Sequence, residues 1–352
     1  MHVVLLGVMR KLLNRWASRD SCSHLITHEM LSQISQRLVS LSKSVPNEFA
    51  RNPRPLSDLR HWKATEYRQF LLYTGPLVLK NVLPSDLYQH FMYLHCAIKI
   101  LCSDSFCCRY NKYANHLLRH FVKESSKLYG AHFVTYNVHC LIHLSNDVLR
   151  FGPLDNFSCF PFENYLQTLK RLIRCSRNPL AQLVKRLSEA STFCKLPRPQ
   201  NNSDVFVSKL HTKGPTVGDV DGKQYQRVRF MSWNLSVSPP NNCIYLKDGS
   251  VVMIENFVET VESLHIVGRQ FLEKCPFYAN PKNAAEVLKT YSVSTESELR
   301  SWPLHDVLCK AFCMHLPEER DEGSEIDDPF SYFDEVISTF LVFPLMMQDK
   351  SP

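Results

Sequence analysis

The sequence predicts an α+β protein, a mainly helical N-terminal region followed by a small β-barrel or sandwich. Three observations predict it. Apolar residues recur at three-to-four spacing as far as about Thr192, short alternating or β-branched runs begin at Val205, and a proline- and asparagine-rich stretch, 195–204, lies between them. With 352 residues, 44% hydrophobic and 21% charged, the chain can bury one large core or two ordinary ones, which excludes disorder for most of its length. We therefore expect a mostly helical region over 1–194, a linker over 195–204 and a β-rich domain over 205–352 that carries an acidic loop, 318–328.

Each element rests on local pattern. Val4, Leu5, Val8, Leu12 and Leu13, and again Met30, Ile34, Leu38 and Leu41, mark amphipathic helices with one buried face. A loop with Pro46, Pro53 and Pro55 comes next. Trp62 to Leu72 reads as helix, interrupted near Gly75-Pro76 because proline lacks the N–H and disfavours helix in the residue before it. Pro84-Ser85-Asp86 starts the next helix, with Leu87, Phe91, Leu94, Ile98 and Leu101 as its stripe. Further helices are expected over Tyr110 to Tyr129, stopped by Gly130, and over Asn137 to Arg150, Pro161 to Arg174 and Pro179 to Thr192. Strands are expected over Val205 to Leu210, Tyr225 to Met231, Asn242 to Leu246, Val251 to Val258, Ser263 to Phe271 and Glu286 to Val293. Val307 to Leu316 and Val336 to Pro344 could add two more, and Lys247-Asp-Gly-Ser supplies a hairpin turn.

Composition narrows function. Thirteen cysteines without a CxxC pair argue against a secreted disulfide scaffold and against zinc-ribbon spacing, so a reduced intracellular protein is expected. The apolar run Val3 to Met9 is too short to span a membrane. There is no GxSxG and no GxxxxGK[ST], and ten glycines leave little material for phosphate-cradling loops. The net charge of +7 is unevenly spread. Lys170, Arg171, Arg174, Arg177, Lys185, Arg186, Lys195 and Arg198 crowd one block against Glu163 and Glu189, while Glu318 to Glu335 is acidic. The basic block reads either as a polyanion-binding surface or as a solvated helix face.

Two constellations could carry chemistry. His139, His143 and Asp147 stand at i, i+4 and i+8, one polar row on a helix; this serves a metal ion, or a structural pair turned inward and bonded to the aspartate. The second reading is the one expected here. Glu163 comes just after Pro161 in a first helical turn, where a carboxylate simply suits the helix dipole. It also stands on one side with Lys170, and Arg171 and Arg174 lie a turn further. A carboxylate succeeded by cations suits metal-dependent phosphoryl transfer beside a nucleic-acid backbone, so Glu163 is expected to face a cleft lined by Lys170 or Arg171.

Four ordered segments carry a family resemblance: His61 to Pro76 (HWKATEYRQFLLYTGP), Tyr136 to Asp147 (YNVHCLIHLSND), Gly152-Pro-Leu, and Phe160 to Arg171 (FPFENYLQTLKR). Together they resemble the transposase domain of cut-and-paste DNA transposons of the CACTA and Chapaev group, over Met1 to about Thr192. The resemblance implies a ribonuclease-H-like nuclease of which this region holds the helical insertion and the C-terminal part. Two aspartates and a late glutamate would hold Mg²⁺ or Mn²⁺ in a full-length relative, and Glu163 matches the late acid. An aspartate stands just before the Met-His pair in the family, so both aspartates are expected upstream of Met1, and no cofactor is expected for this chain. The resemblance thus implies a truncated, nuclear transposase fragment that still binds DNA through Lys170, Arg171, Arg174, Arg177, Lys185 and Arg186. Its partners would be DNA and another transposase chain or itself, with no membrane. The alternatives are a nuclease completed in trans and a domesticated protein-interaction module.

Overall fold

The first apolar run buries Val4, Leu5, Val8, Leu12 and Leu13 along a π-helical segment, Val3–Met9, that continues into helix α1 (Arg10–Ala17). The computed structural model describes residues 1–18, 26–193, 205–218, 221–281, 284–315 and 339–346. Helix α2 (His28–Ser40) starts where the Thr27 hydroxyl accepts from the Met30 amide at 3.2 Å, and it buries Ile34 and Leu38.

Gly75-Pro76 does not interrupt its helix. Helix α3 (Ala64–Gln69) runs through a π-turn, Phe70–Thr74, into α4 (Gly75–Leu79). The wider turn lets the Gly75 amide bond the Phe70 carbonyl five residues back, which absorbs the proline. The Leu71 and Leu72 carbonyls so released are taken by helix α5 (Ser85–Cys102): His95 Nδ1 reaches Leu71 at 2.7 Å and Lys99 Nζ donates to Leu72 at 3.4 Å. Helix α5 is buried almost all round, which is why it holds these polar groups inside.

Helix α6 (Asn111–Tyr129) packs on α5 and ends at Gly130, whose φ of +87° only glycine adopts freely. The single helix expected over Asn137 to Arg150 is three pieces: α7 (Tyr136–Cys140), a 3₁₀ turn, Leu141–His143, and α8 (Leu144–Phe151). Helices α9 (Phe160–Leu172) and α10 (Pro179–Phe193) complete this part; α9 stops two residues short of Arg174.

The C-terminal part is a ten-stranded antiparallel sheet: β1 (Phe206–His211), β2 (Lys223–Phe230), β3 (Trp233–Ser236), β4 (Cys243–Leu246), β5 (Val251–Glu259), β6 (Leu264–Pro276), β7 (Tyr291–Glu296), β8 (Arg300–Pro303), β9 (Val307–His315) and β10 (Phe340–Pro344). The chain is thus α+β. The strand expected over Glu286 to Val293 is instead a one-turn helix, Ala284–Val287, and then β7, while the four-residue β3 and β8 have no counterpart among the expected strands. Pairing runs β5-β4-β9-β10-β7-β6 and back to β5, a closed ring, with β1 to β3 attached through β2 and β8 through β6.

Alternation divides the ring's residues between two cores. Cys243, Tyr245, Val251, Phe271, Val293, Ala311 and Val342 form one cluster. Their neighbours Ile244, Leu246, Phe312, Leu341 and Phe343 join the core of the helices instead, so that core is continuous across both parts of the chain. Tyr73 meets Phe312 and Phe343 at ring distances of 5.8 and 5.9 Å. Beside them Lys310 is fully buried against Glu48, Nζ to Oε2 2.7 Å. The stretch 195–204 and the acidic loop 318–328 lie outside the described residues.

Candidate nucleic-acid interface

The segment between α8 and α9 is anchored by backbone and charge. Gly152 turns the chain at φ +82°, the Leu154 amide donates to the Leu101 carbonyl at 3.0 Å, and Asp155 takes a bidentate Arg68 at 2.9 and 3.1 Å. This fixes the start of α9. Phe160 then stacks on His2 with centroids 3.9 Å apart, and Glu163 Oε1 lies 2.8 Å from His2 Nε2. Sequence reasoning missed His2 as a partner of Glu163, because 161 residues separate them and no local spacing signals the contact.

Glu163 does not face a cation-lined cleft. Its side chain is 57% exposed, its partner is the His2 imidazole, and Lys170 and Arg171 make no ion pair with it. Asp155, eight residues earlier, has both oxygens committed to Arg68. Among the described residues no group of three His, Cys, Asp or Glu side chains could hold a metal ion. The donors beside Glu163 therefore do not fit a Mg²⁺ or Mn²⁺ centre, which takes several oxygen ligands.

The basic residues lie on a helical hairpin that stands off the core. Helix α9 buries none of its residues, so its cations stay in water. The turn from α9 to α10 is tied by Gln182. Its Nε2 donates to the Arg177 and Cys175 carbonyls at 2.6 and 3.0 Å, and its Oε1 accepts from the Arg174 amide at 3.1 Å. Arg174 and Arg177 are thus held on an ordered turn, and Pro179 opens α10. Lys170, Arg171, Arg174, Arg177 and Lys185 make no ion pair with described residues, and Arg186 reaches Glu189 at 3.7 Å. The same hairpin also leaves large apolar side chains bare: Phe162 is 70% exposed, Leu180 77% and Val184 67%.

The polar row is displaced from its expected position. His143 is exposed and His139 stands beside it with ring centroids 5.4 Å apart, while Asp147 is half-buried. The interior side of this segment is filled by Val138, Leu141, Leu144 and Val148, which leaves the imidazoles outward. They do not hold the helix against its neighbours.

No helix of the described residues is long and apolar enough to cross a membrane. A family model described as a domain of unknown function (DUF8592) matches residues 210–345, the sheet from the end of β1 through β10. No curated protein and no solved structure matches the chain.

Proposed function

We propose that the chain is a transposon-derived protein of the ribonuclease-H-like transposase group that binds DNA through α9 and α10 and does not cut it unaided. The observation that carries the reading is the set of five cations on the hairpin, none neutralised by a described carboxylate. Phosphate contacts need cations that are free of internal partners and not buried. The ordered motifs from His61 to Arg171 supply the transposase origin, and binding to chromosomal DNA would place the protein in the nucleus. Strand transfer needs several carboxylates around the metal ions, and Glu163 bonded to an imidazole cannot supply that geometry.

The test is fluorescence anisotropy of labelled duplex DNA across a salt series. Affinity should fall with salt at a slope of roughly 0.9 per phosphate contact, with little dependence on duplex sequence. Replacing Lys170, Arg171 and Arg174 by alanine should flatten that slope by up to about three units. Unchanged affinity in the triple variant refutes the surface. Mg²⁺- or Mn²⁺-dependent cleavage that disappears in Glu163→Gln refutes the inactive reading.

A second reading rests on the bare apolar side chains Phe162, Leu180 and Val184 of the hairpin. The same hairpin would then dock on another polypeptide, a second transposase chain among them. Crosslinking at Phe162 in the absence of DNA separates the two readings.

A further inference from the structure

The three strands that precede the ring present an open face. Pairing sets Phe206 opposite Arg229, Ser208 opposite Arg227 and Leu210 opposite Tyr225, while Asn234 on β3 lies opposite Arg229 from the other side. Directly paired residues share a face, so these side chains form one surface. It is solvated: Phe206 is 56% exposed and Leu210 66%, and Ser208, Arg227, Arg229 and Asn234 are exposed as well. The reverse face explains why the strands are held in place. Val228, Trp233 and Leu235 are buried there, at 1%, 0% and 2% exposure.

Neither Arg227 nor Arg229 makes an ion pair with a described residue. The Tyr225 hydroxyl donates to Glu259 at 2.8 Å at one end of the face, and the Glu48 carboxylate beneath β3 is buried and committed to Lys310 at 2.7 Å. An aromatic ring beside two unneutralised guanidinium groups on a sheet is the combination that takes a base on the ring and its phosphates on the cations.

We propose that this β1–β2–β3 face is a second nucleic-acid surface, distinct from α9 and α10, whose occupant is an unpaired DNA strand. A base can lie flat on Phe206 only when it has left its duplex, whereas the hairpin cations reach phosphates of either form. The choice of DNA over RNA rests on the function proposed above. The surface and its preference for an unpaired strand do not.

The experiment titrates the full chain into labelled oligothymidylate and, separately, into a duplex of equal length. Phe206→Ala should weaken single-strand binding by about 5- to 150-fold and leave duplex binding unchanged, and Phe206→Trp should restore it. Arg227→Ala with Arg229→Ala should flatten the single-strand salt slope by up to about 1.4, at about 0.7 per contact. The Lys170, Arg171, Arg174 triple variant should instead weaken the duplex. Duplex binding unchanged in that triple variant refutes the hairpin reading and leaves this one standing. Single-strand affinity unchanged in Phe206→Ala and in the arginine pair, with melting temperatures equal to the parent's, overturns the proposal. Tighter binding of oligouridylate than of oligothymidylate overturns the assignment to DNA.

Discussion

Removing the carboxylate of Glu48 should cost about 3–5 kcal/mol, because it strands a charged amine in the core. Lys310 is 0% exposed and gives its three protons to Glu48 Oε2 at 2.7 Å, Asn241 Oδ1 at 2.6 Å and the Asn234 carbonyl at 2.8 Å. Burial lowers the lysine's pKa from 10.5, and Glu48 opposes that shift. In Glu48→Ala the amine can escape its penalty by losing a proton. At pH 7 that exit costs at most about 1.4 × 3.5, or about 5 kcal/mol, from the 10.5 of the unfolded chain. The deficit relative to the parent should therefore be about 3–5 kcal/mol at pH 7 and shrink by about 1.4 kcal/mol per pH unit as pH rises towards 10, since the unfolded lysine then loses its proton too. The pair Glu48→Leu with Lys310→Met should recover most of the loss, leaving about 1–2 kcal/mol for the Asn234 carbonyl and Asn241 without their donor. Urea unfolding monitored by tryptophan fluorescence at pH 7, 8 and 9 measures both variants against the parent. A Glu48→Ala deficit under about 1 kcal/mol, or one that does not change with pH, would refute the argument that the amine is dry.

Two further predictions concern acid and packing. Burial lowers His90 to about 4 and His95 to about 3, so between pH 6.5 and about 4 the unfolded chain binds protons that the folded chain refuses. Stability should fall as pH drops through that window, by about 1.4 kcal/mol per pH unit for each histidine; a urea midpoint constant from pH 7 to 4.5 contradicts it. Gly75→Ala should destabilise by about 1–3 kcal/mol, although alanine is normally the better helix former. Its Cβ would sit 2.5 Å from the Phe70 carbonyl oxygen and from the Phe91 ring, and a melting temperature equal to or above the parent's refutes the close packing.

What the sequence determines by itself is whatever depends on neighbours a few residues away. The stripe Leu87, Phe91, Leu94, Ile98 and Leu101, the stop at Gly130, the starts at Pro161 and Pro179 and the turn at Gly249 are each legible, because a helix face or a turn is set by contacts within four residues. The basic character of α9 and α10 belongs with these. Four-residue strands such as β3 and β8 carry too few alternations to be read. The orientation of His139, His143 and Asp147 is not legible either: their spacing makes one row only on an unbroken α-helix, and the 3₁₀ turn at Leu141–His143 alters the angle per residue. Only the tertiary structure decides that Gly75-Pro76 lies inside a helix, since the freed carbonyls find His95 and Lys99 on another element. The same holds for His2 against Glu163, for Lys310 against Glu48 across 262 residues, and for the strand ring closed by β5 on β6 and β10 on β7. The Lys310–Glu48 pair and the closed strand edges form where burial makes a lone charge or an unpaired edge costly, and that cost exists only once distant segments have packed together. The exposed His2–Glu163 contact needs only that packing bring the start of α9 beside the N-terminus.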